Sequence, residues 1–86
     1  MIDIESIFRS TLDSRQFCEI IYLYEISPNN ESTFNIRIYI KESIYVAELL
    51  TDNDIKENLF ESLKNAFLYR KYYQSTIRVN LDIILT

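Results

Sequence analysis

The absence of glycine is the feature that most restricts how this chain of 86 residues can fold. Glycine reaches positive φ without a steric cost, so turns and helix ends commonly rely on it. The turns here must be made by Asn, Asp, Ser, Glu or the single proline, Pro28. We therefore expect clusters of these residues to bound the helices and strands of a single small domain covering residues 1–86.

The first half of the chain predicts one helix followed by two strands. Apolar residues recur at helical spacing over residues 3–12, which predicts a short helix capped by Asp3. Residues 16–26 carry apolar side chains on both faces and predict a strand covered on both sides. Residues 33–41 alternate strictly between apolar and polar, which predicts a strand with one buried face. The polar segment between the two strands predicts a turn.

Residues 44–50 predict a third strand, which returns along the second strand as a hairpin. With a loop of two residues, Ile40 lies opposite Tyr45 on the core face. The same register places Arg37 opposite Glu48 on the outer face, where the two charges attract each other.

A long helix and a last strand complete the predicted fold. Thr51 or Asp52 caps the helix, and its apolar stripe continues to Phe67. Residues 76–85 alternate again and predict a strand, whose neighbour in the sheet stays open. The order α-β-β-β-α-β predicts an α+β domain in which one long helix packs on an antiparallel meander sheet.

The composition removes most enzyme chemistry. Without histidine the chain has no imidazole base and no usual zinc ligand set, and without glycine it has no phosphate-cradling loop. Cys18 lies in an apolar row, so we expect a buried, inert thiol. We expect a protein that is not an enzyme and holds no cofactor. No signal peptide or membrane-spanning stretch is recognisable, so we expect a cytoplasmic location and no membrane partner.

Acidic residues concentrate in residues 42–61, where Lys56 is the one basic residue. This run fits a mimic of nucleic-acid phosphates offered to a basic groove, and it equally fits a capped helix start with a solvated face. Five residues form this candidate acidic surface: Glu48, Asp52, Asp54, Glu57 and Glu61.

The same segment could suggest a metal loop, because Asp52, Asn53 and Asp54 are adjacent. A calcium-binding EF-hand needs glycine at its sixth position and glutamate at its twelfth, and Glu57 and Leu63 stand there instead. We therefore predict no metal site.

A second candidate surface is the aromatic–basic cluster after the long helix: Tyr69, Arg70, Lys71, Tyr72 and Tyr73. Tyrosine and arginine are common anchors of protein interfaces, and the same mixture suits single-stranded nucleic acid. Basic residues also complement a helix C-terminus, which is a purely structural explanation. With a pI near 4.7 for the chain, direct nucleic-acid binding is not expected, and a protein partner is.

An apolar patch offers an alternative function. Tyr39, Ile44 and Val46 share the outer face of the predicted hairpin, and Ile84 points away from the main row of the last strand. Exposed together, they would favour a phage or toxin–antitoxin structural protein that homo-oligomerises through this patch or the last strand, with a homodimer as one possible state. Covered by the first helix, they form a second small core.

The chain resembles small acidic phage-encoded anti-CRISPR proteins, which inhibit the RNA-guided nuclease of type II systems. The resemblance lies in the size, the opening Met1-Ile2-Asp3-Ile4-Glu5, the order of elements and the stretch SIYVAELLTDNDIKENLFESLKNAF. Richness in Ile, Asn, Tyr and Lys, typical of AT-rich genomes, is consistent with a phage source. The resemblance implies that the acidic residues occupy the place where the nuclease grips its target duplex. The chain departs from the family after the long helix, where the basic cluster replaces an acidic segment.

Overall fold

The computed structural model describes residues 4–30, 32–69 and 77–86. Asp3, the predicted cap of the first helix, and Arg70, Lys71, Tyr72 and Tyr73 of the aromatic–basic cluster lie outside the described residues. The elements in chain order are α1 (Ile4–Leu12), α2 (Arg15–Cys18), β1 (Ile21–Pro28), β2 (Thr33–Ile40), α3 (Glu42–Ala47), α4 (Asp52–Tyr69) and β3 (Arg78–Leu85).

The three strands form a mixed sheet in the order β1-β2-β3. β1 and β2 are antiparallel, whereas β2 and β3 are parallel. The prediction of an α+β fold is confirmed, but the prediction of an antiparallel meander is wrong. The reason is that β3 returns to the sheet after α4 and pairs along the side of β2 that the predicted third strand would have used.

The predicted third strand at residues 44–50 is the short helix α3 and the turn after it. The carbonyl of Lys41 accepts the N–H groups of both Ile44 and Tyr45, which starts the helix. The helix ends in a Schellman motif, because Leu49 donates to the carbonyl of Val46 and Leu50 donates to that of Tyr45.

Because residues 42–47 are helical, the ion pair of Arg37 with Glu48 that was expected from the hairpin does not form. Glu48 follows α3 and does not face Arg37. Arg37 instead lies opposite Glu25 of β1, with 3.8 Å between a guanidinium nitrogen and a carboxylate oxygen. The predicted pair of Arg37 with Glu48 is therefore wrong.

β1 begins later than the predicted strand of residues 16–26. The N–H groups of Phe17 and Cys18 both donate to the carbonyl of Ser14, which folds residues 15–18 into α2. Phe17 enters the core in this way, with 2% of its surface exposed. The pairing of β1 with β2 is irregular between Ile21 and Leu23, which marks a bulge.

One face of the sheet is covered by helices α1 and α4, as the apolar alternation of β2 requires. The ring of Phe8 is fully buried and meets Phe34 of β2 and Phe67 of α4 edge-to-face, at centroid distances of 4.9 Å and 6.1 Å. The core contains Ile7, Phe8, Leu12, Phe17, Phe34, Ile36, Ile38, Ile40, Ile55, Leu59, Leu63, Phe67 and Leu81. The short first helix and the long helix that the sequence predicted are confirmed as α1 and α4.

Candidate functional site

Three of the five predicted acidic residues lie together on the outer face of α4. Asp54, Glu57 and Glu61 follow one another at helical spacing and are all exposed. The opposite face of the helix is buried through Ile55, Leu59, Leu63 and Phe67. Since the apolar stripe anchors the helix in the core, the three carboxylates are presented on a fixed surface, which we call the acidic stripe.

The start of α4 is set by Thr51. Its hydroxyl oxygen accepts the N–H of Asp54 at 3.1 Å, which is the interaction of an N-cap. Asp52 and Asp54 lie in the first turn, where the positive end of the helix dipole stabilises negative charge. Of the two predicted caps, Thr51 and Asp52, it is Thr51 that caps α4.

Asp52 and Glu48 are exposed but do not belong to the acidic stripe. Asp52 accepts a hydrogen bond from the hydroxyl of Tyr45 at 2.9 Å. This bond to Asp52 is the main reason why the pKa of Tyr45 is raised above its ordinary value. Glu48 is the C-cap residue of α3. The predicted surface is therefore a stripe of three residues with two further carboxylates near its N-terminal end.

The acidic stripe forms no ion pair within the described part of the chain. The ion pairs formed there join Arg9 to Glu5, Arg15 to Glu19 and Arg37 to Glu25. Glu57 accepts a hydrogen bond of 3.2 Å from the side-chain amide of Asn53, which orients the carboxylate and leaves its charge in place. Lys64, three residues after Glu61, is exposed on the same face and offsets part of the charge. The outer face of α4 keeps a net negative charge.

The second candidate surface is described only at its first residue. Tyr69 is the last residue of α4 and has 86% of its surface exposed, and the neighbouring Leu68 has 55% exposed. These two side chains place aromatic and aliphatic surface at the C-terminal end of the helix that carries the acidic stripe.

The prediction that the thiol of Cys18 is buried is wrong. The thiol is exposed at the end of α2, and its sulfur lies 3.8 Å from the carbonyl oxygen of Arg15. The physical reason is the helical turn at residues 15–18, which directs Phe17 into the core and Cys18 outward. A buried thiol would have required the extended backbone that the sequence pattern suggested.

The hairpin face on which the apolar patch was predicted does not form, because residues 42–47 are helical. Val46 is 64% exposed on α3, and Ile44 is half-buried there. Tyr39 lies on the sheet, where its hydroxyl donates to Glu25 at 3.3 Å. Ile84 is paired in register with Tyr39 on the same sheet face.

No described helix covers the second face of the sheet, which we call the open sheet face, and its side chains are organised in rows across the strands. Tyr39 lies between Leu23 and Ile84, forming an apolar row. The next rows toward the other end of the sheet are polar, and they comprise Glu25, Arg37 and Asp82, then Ser27, Asn35 and Asn80.

Hydrogen bonds and charges hold the polar rows together. The side-chain amide of Asn80 donates to that of Asn35 at 3.0 Å. The pKa of Arg37 is raised above its ordinary value, mainly by its hydrogen bond with Tyr39 and then by nearby charges that include Glu25 and Asp82. A shallow depression of about 140 Å³ lies over these rows. The alternation of β2 indicated that Asn35 and Arg37 face away from the core, but their neighbours on β3 could not be predicted.

A larger depression of about 370 Å³ lies between α1 and β1, and three of its polar residues, Arg9, Asp13 and Tyr24, contact one another. The hydroxyl of Tyr24 donates to Asp13 at 2.8 Å, and the guanidinium of Arg9 lies 5.9 Å from the centre of the Tyr24 ring. Burial, followed by the bond to Asp13, raises the pKa of Tyr24. We regard this cluster as a structural link between α1 and β1.

Among the described residues, no three His, Cys, Asp or Glu side chains are grouped closely enough to hold a metal ion. None of the helices in that part of the chain is long and apolar enough to span a membrane.

Comparisons with known proteins complete the description of the site. No protein-family model matches the sequence, and no curated protein or solved structure matches it significantly.

Proposed function

We propose that the protein is a non-enzymatic inhibitor, encoded by a phage, that binds a CRISPR effector nuclease through the acidic stripe and blocks the effector's use of nucleic acid. The observation that carries the proposal is the alignment of Asp54, Glu57 and Glu61 on the outer face of a helix that is anchored in the core by its opposite face. The inhibitor acts by contact in the host cytoplasm and needs no cofactor.

The spacing of the acidic stripe suits a groove that binds a phosphate backbone. The eight residues from Asp54 to Glu61 span roughly 10 Å along the helix axis, at about 1.5 Å per residue. Neighbouring acidic residues of the stripe are thus about 4.5 Å and 6 Å apart along the axis, less than the Debye length of about 8 Å at physiological ionic strength, so they act on a basic groove as one field. A basic groove built for phosphates would attract such a row of charges.

Rigidity favours the same conclusion. The stripe lies on a helix of 18 residues whose buried face contacts the core, so the backbone that carries the carboxylates is already held in place before binding. Binding then orders side chains only, and little backbone entropy is lost. Tyr69, exposed at the end of the same helix, adds an aromatic side chain of the kind that anchors protein interfaces.

A charge-reversal experiment tests the proposal. A type II effector nuclease loaded with guide RNA is mixed with target duplex, and duplex binding is measured at increasing concentrations of the protein. We expect the wild type to reduce duplex binding. Glu57→Lys should weaken inhibition about tenfold, which corresponds to about 1.4 kcal/mol, and Glu57→Lys with Glu61→Lys should weaken it further. Asp52 is a poorer choice, because it accepts the bond from Tyr45.

The matched control is Glu19→Lys, which makes the same change in net charge away from α4. Glu19 forms only an exposed pair with Arg15, at 3.5 Å, so the fold should be little affected. Inhibition by Glu19→Lys should equal that of the wild type. Failure of the wild type to affect duplex binding, or equal inhibition by the Glu57 and Glu19 variants, would contradict the proposal.

A further inference from the structure

The last strand has one side that no described strand occupies. Toward β2, Arg78 donates its N–H to the carbonyl of Ser32, and Thr86 donates to that of Ile40 and accepts from the N–H of Glu42. Backbone groups alternate along a strand, so the even-numbered residues of β3 face β2 and the odd-numbered residues face away. The N–H and C=O groups of the odd-numbered residues thus form a free edge within the described part of the chain.

The two outer strands of the sheet differ in how their edges are protected. β1 has an irregular register between Ile21 and Leu23, and it ends at Pro28. Bulges and proline are devices that prevent edge strands from pairing with other chains. β3 contains eight residues without proline, lysine or a register shift. Within the described part of the chain this edge has none of those devices, and eight residues are long enough to pair with another strand.

We propose that β3 pairs antiparallel with β3 of a second copy, with the two-fold axis at Asn80. In this register Arg78 lies opposite Asp82 of the second copy, and the symmetry repeats the contact. On the helix-covered face, Val79 lies opposite Leu81 of the second copy, and residue 77 lies opposite residue 83. The odd-numbered residues exchange roughly eight backbone hydrogen bonds, and the two sheets become one.

Charge complementarity favours a second copy of this chain as the partner of β3, and it also selects the register of the pairing. Arg78 and Asp82 are exposed, and neither forms one of the close ion pairs between described residues. Asp82 lies opposite Arg37 on β2 and attracts it, but Arg37 is already paired with Glu25, so Asp82 can also attract Arg78 of a second copy. An axis at Asp82 would place the two Asp82 carboxylates opposite each other, which is unfavourable. An axis at Leu81 would place Arg78 opposite the apolar Ile84. Only the axis at Asn80 matches opposite charges and also matches apolar side chains with one another.

The helix-covered face supplies the apolar contact that such a dimer needs. Ile77, Val79 and Ile83 are half-buried residues at the margin of the core. Pairing with a second copy would cover their remaining apolar surface by the same residues of the other chain. The acidic stripe takes no part in this pairing, so self-association and inhibition can succeed or fail independently.

Reversing the two charges tests the register. Sedimentation velocity at roughly 10–500 μM should show a dimer of the wild type, within the affinity range of weak, specific association. Arg78→Asp alone and Asp82→Arg alone should each weaken dimerisation about tenfold or more, because like charges then face each other. An equimolar mixture of the two single variants should dimerise again. A wild type that stays monomeric throughout, or single variants that dimerise as the wild type does, would overturn the proposal.

Cross-linking tests the axis without relying on charge. In a Cys18→Ser background, Asn80→Cys places two thiols opposite each other at a Cα separation of about 4.5–5.5 Å, within the range of a disulfide. The matched control Ile84→Cys keeps both charges and separates the thiols by about 26 Å along the strands, which is too far. Oxidation should produce a covalent dimer from Asn80→Cys and none from Ile84→Cys. The reverse result, or no cross-link at either position, would refute the register.

Discussion

Leu49 allows a direct test of how a chain without glycine ends a helix. It occupies the C′ position of the Schellman motif after α3 with φ of 52°, in the left-handed region. A residue with a Cβ atom loses about 1–2 kcal/mol there, whereas glycine does not. Glycine in turn loses about 0.5–1 kcal/mol more backbone entropy on folding. We therefore expect Leu49→Gly to be more stable than Leu49→Ala by about 0.7 kcal/mol.

The alanine variant is the matched control, since it retains the Cβ atom and removes the rest of the side chain. Leu49 is 86% exposed, so Leu49→Ala should itself change stability by less than about 0.5 kcal/mol. Thermal unfolding followed by circular dichroism should show a Tm for Leu49→Gly about 3–6 °C above that of Leu49→Ala. At an ordinary negative φ the order is reversed, because glycine then destabilises. A lower Tm for the glycine variant would refute the left-handed turn.

Three further changes test the core, the helix cap and the alkaline limit of stability. Phe8→Ala should destabilise the protein by about 3–5 kcal/mol in urea denaturation, because it empties a fully buried position. Phe60→Ala, at a residue 41% exposed, should cost about 1–2 kcal/mol. Equal losses of stability would contradict the placement of Phe8 in the core. Thr51→Ala should cost about 1 kcal/mol by removing the cap of α4, and Thr51→Ser should cost clearly less. The pKa of Tyr24 is raised in the folded state, so its neutral form is favoured there; this stabilisation is complete below the ordinary pKa of 10.0 and is lost as pH rises through the raised value. Tyr24→Phe should therefore lose stability less steeply above pH 10 than the wild type, and identical profiles would contradict the assignment.

Long periodic segments were predictable from the sequence, and short ones were not. β2 follows from strict alternation, and α4 from an apolar stripe of several turns with a cap at Thr51. Residues 44–50 are too short to distinguish a strand from a helix by pattern. The outcome there was decided by competition for the free side of β2, which β3 occupies over eight residues. That competition is a tertiary effect that no local pattern contains.

The candidate surfaces, too, were predictable only where they depend on local sequence. The acidic stripe could be predicted, because its residues share one face of a helix that the sequence defines. Asp52 could not be separated from it, since its bond with Tyr45 depends on α3 being helical. The polar rows of the open sheet face were also beyond prediction, because they depend on the place of β3 beside β2. Cys18 was misplaced for a local reason, the single helical turn of α2.

The most direct test of the proposed inhibition is competition at the duplex-binding groove. Calorimetric titration of the guide-loaded effector nuclease with the protein would be performed with and without saturating target duplex. We expect a measurable affinity without duplex and an apparent affinity that falls in proportion to the duplex concentration, since both ligands occupy one groove. An affinity that is unchanged by saturating duplex would show that the protein does not occupy the groove, and the proposed inhibition by competition would then be wrong.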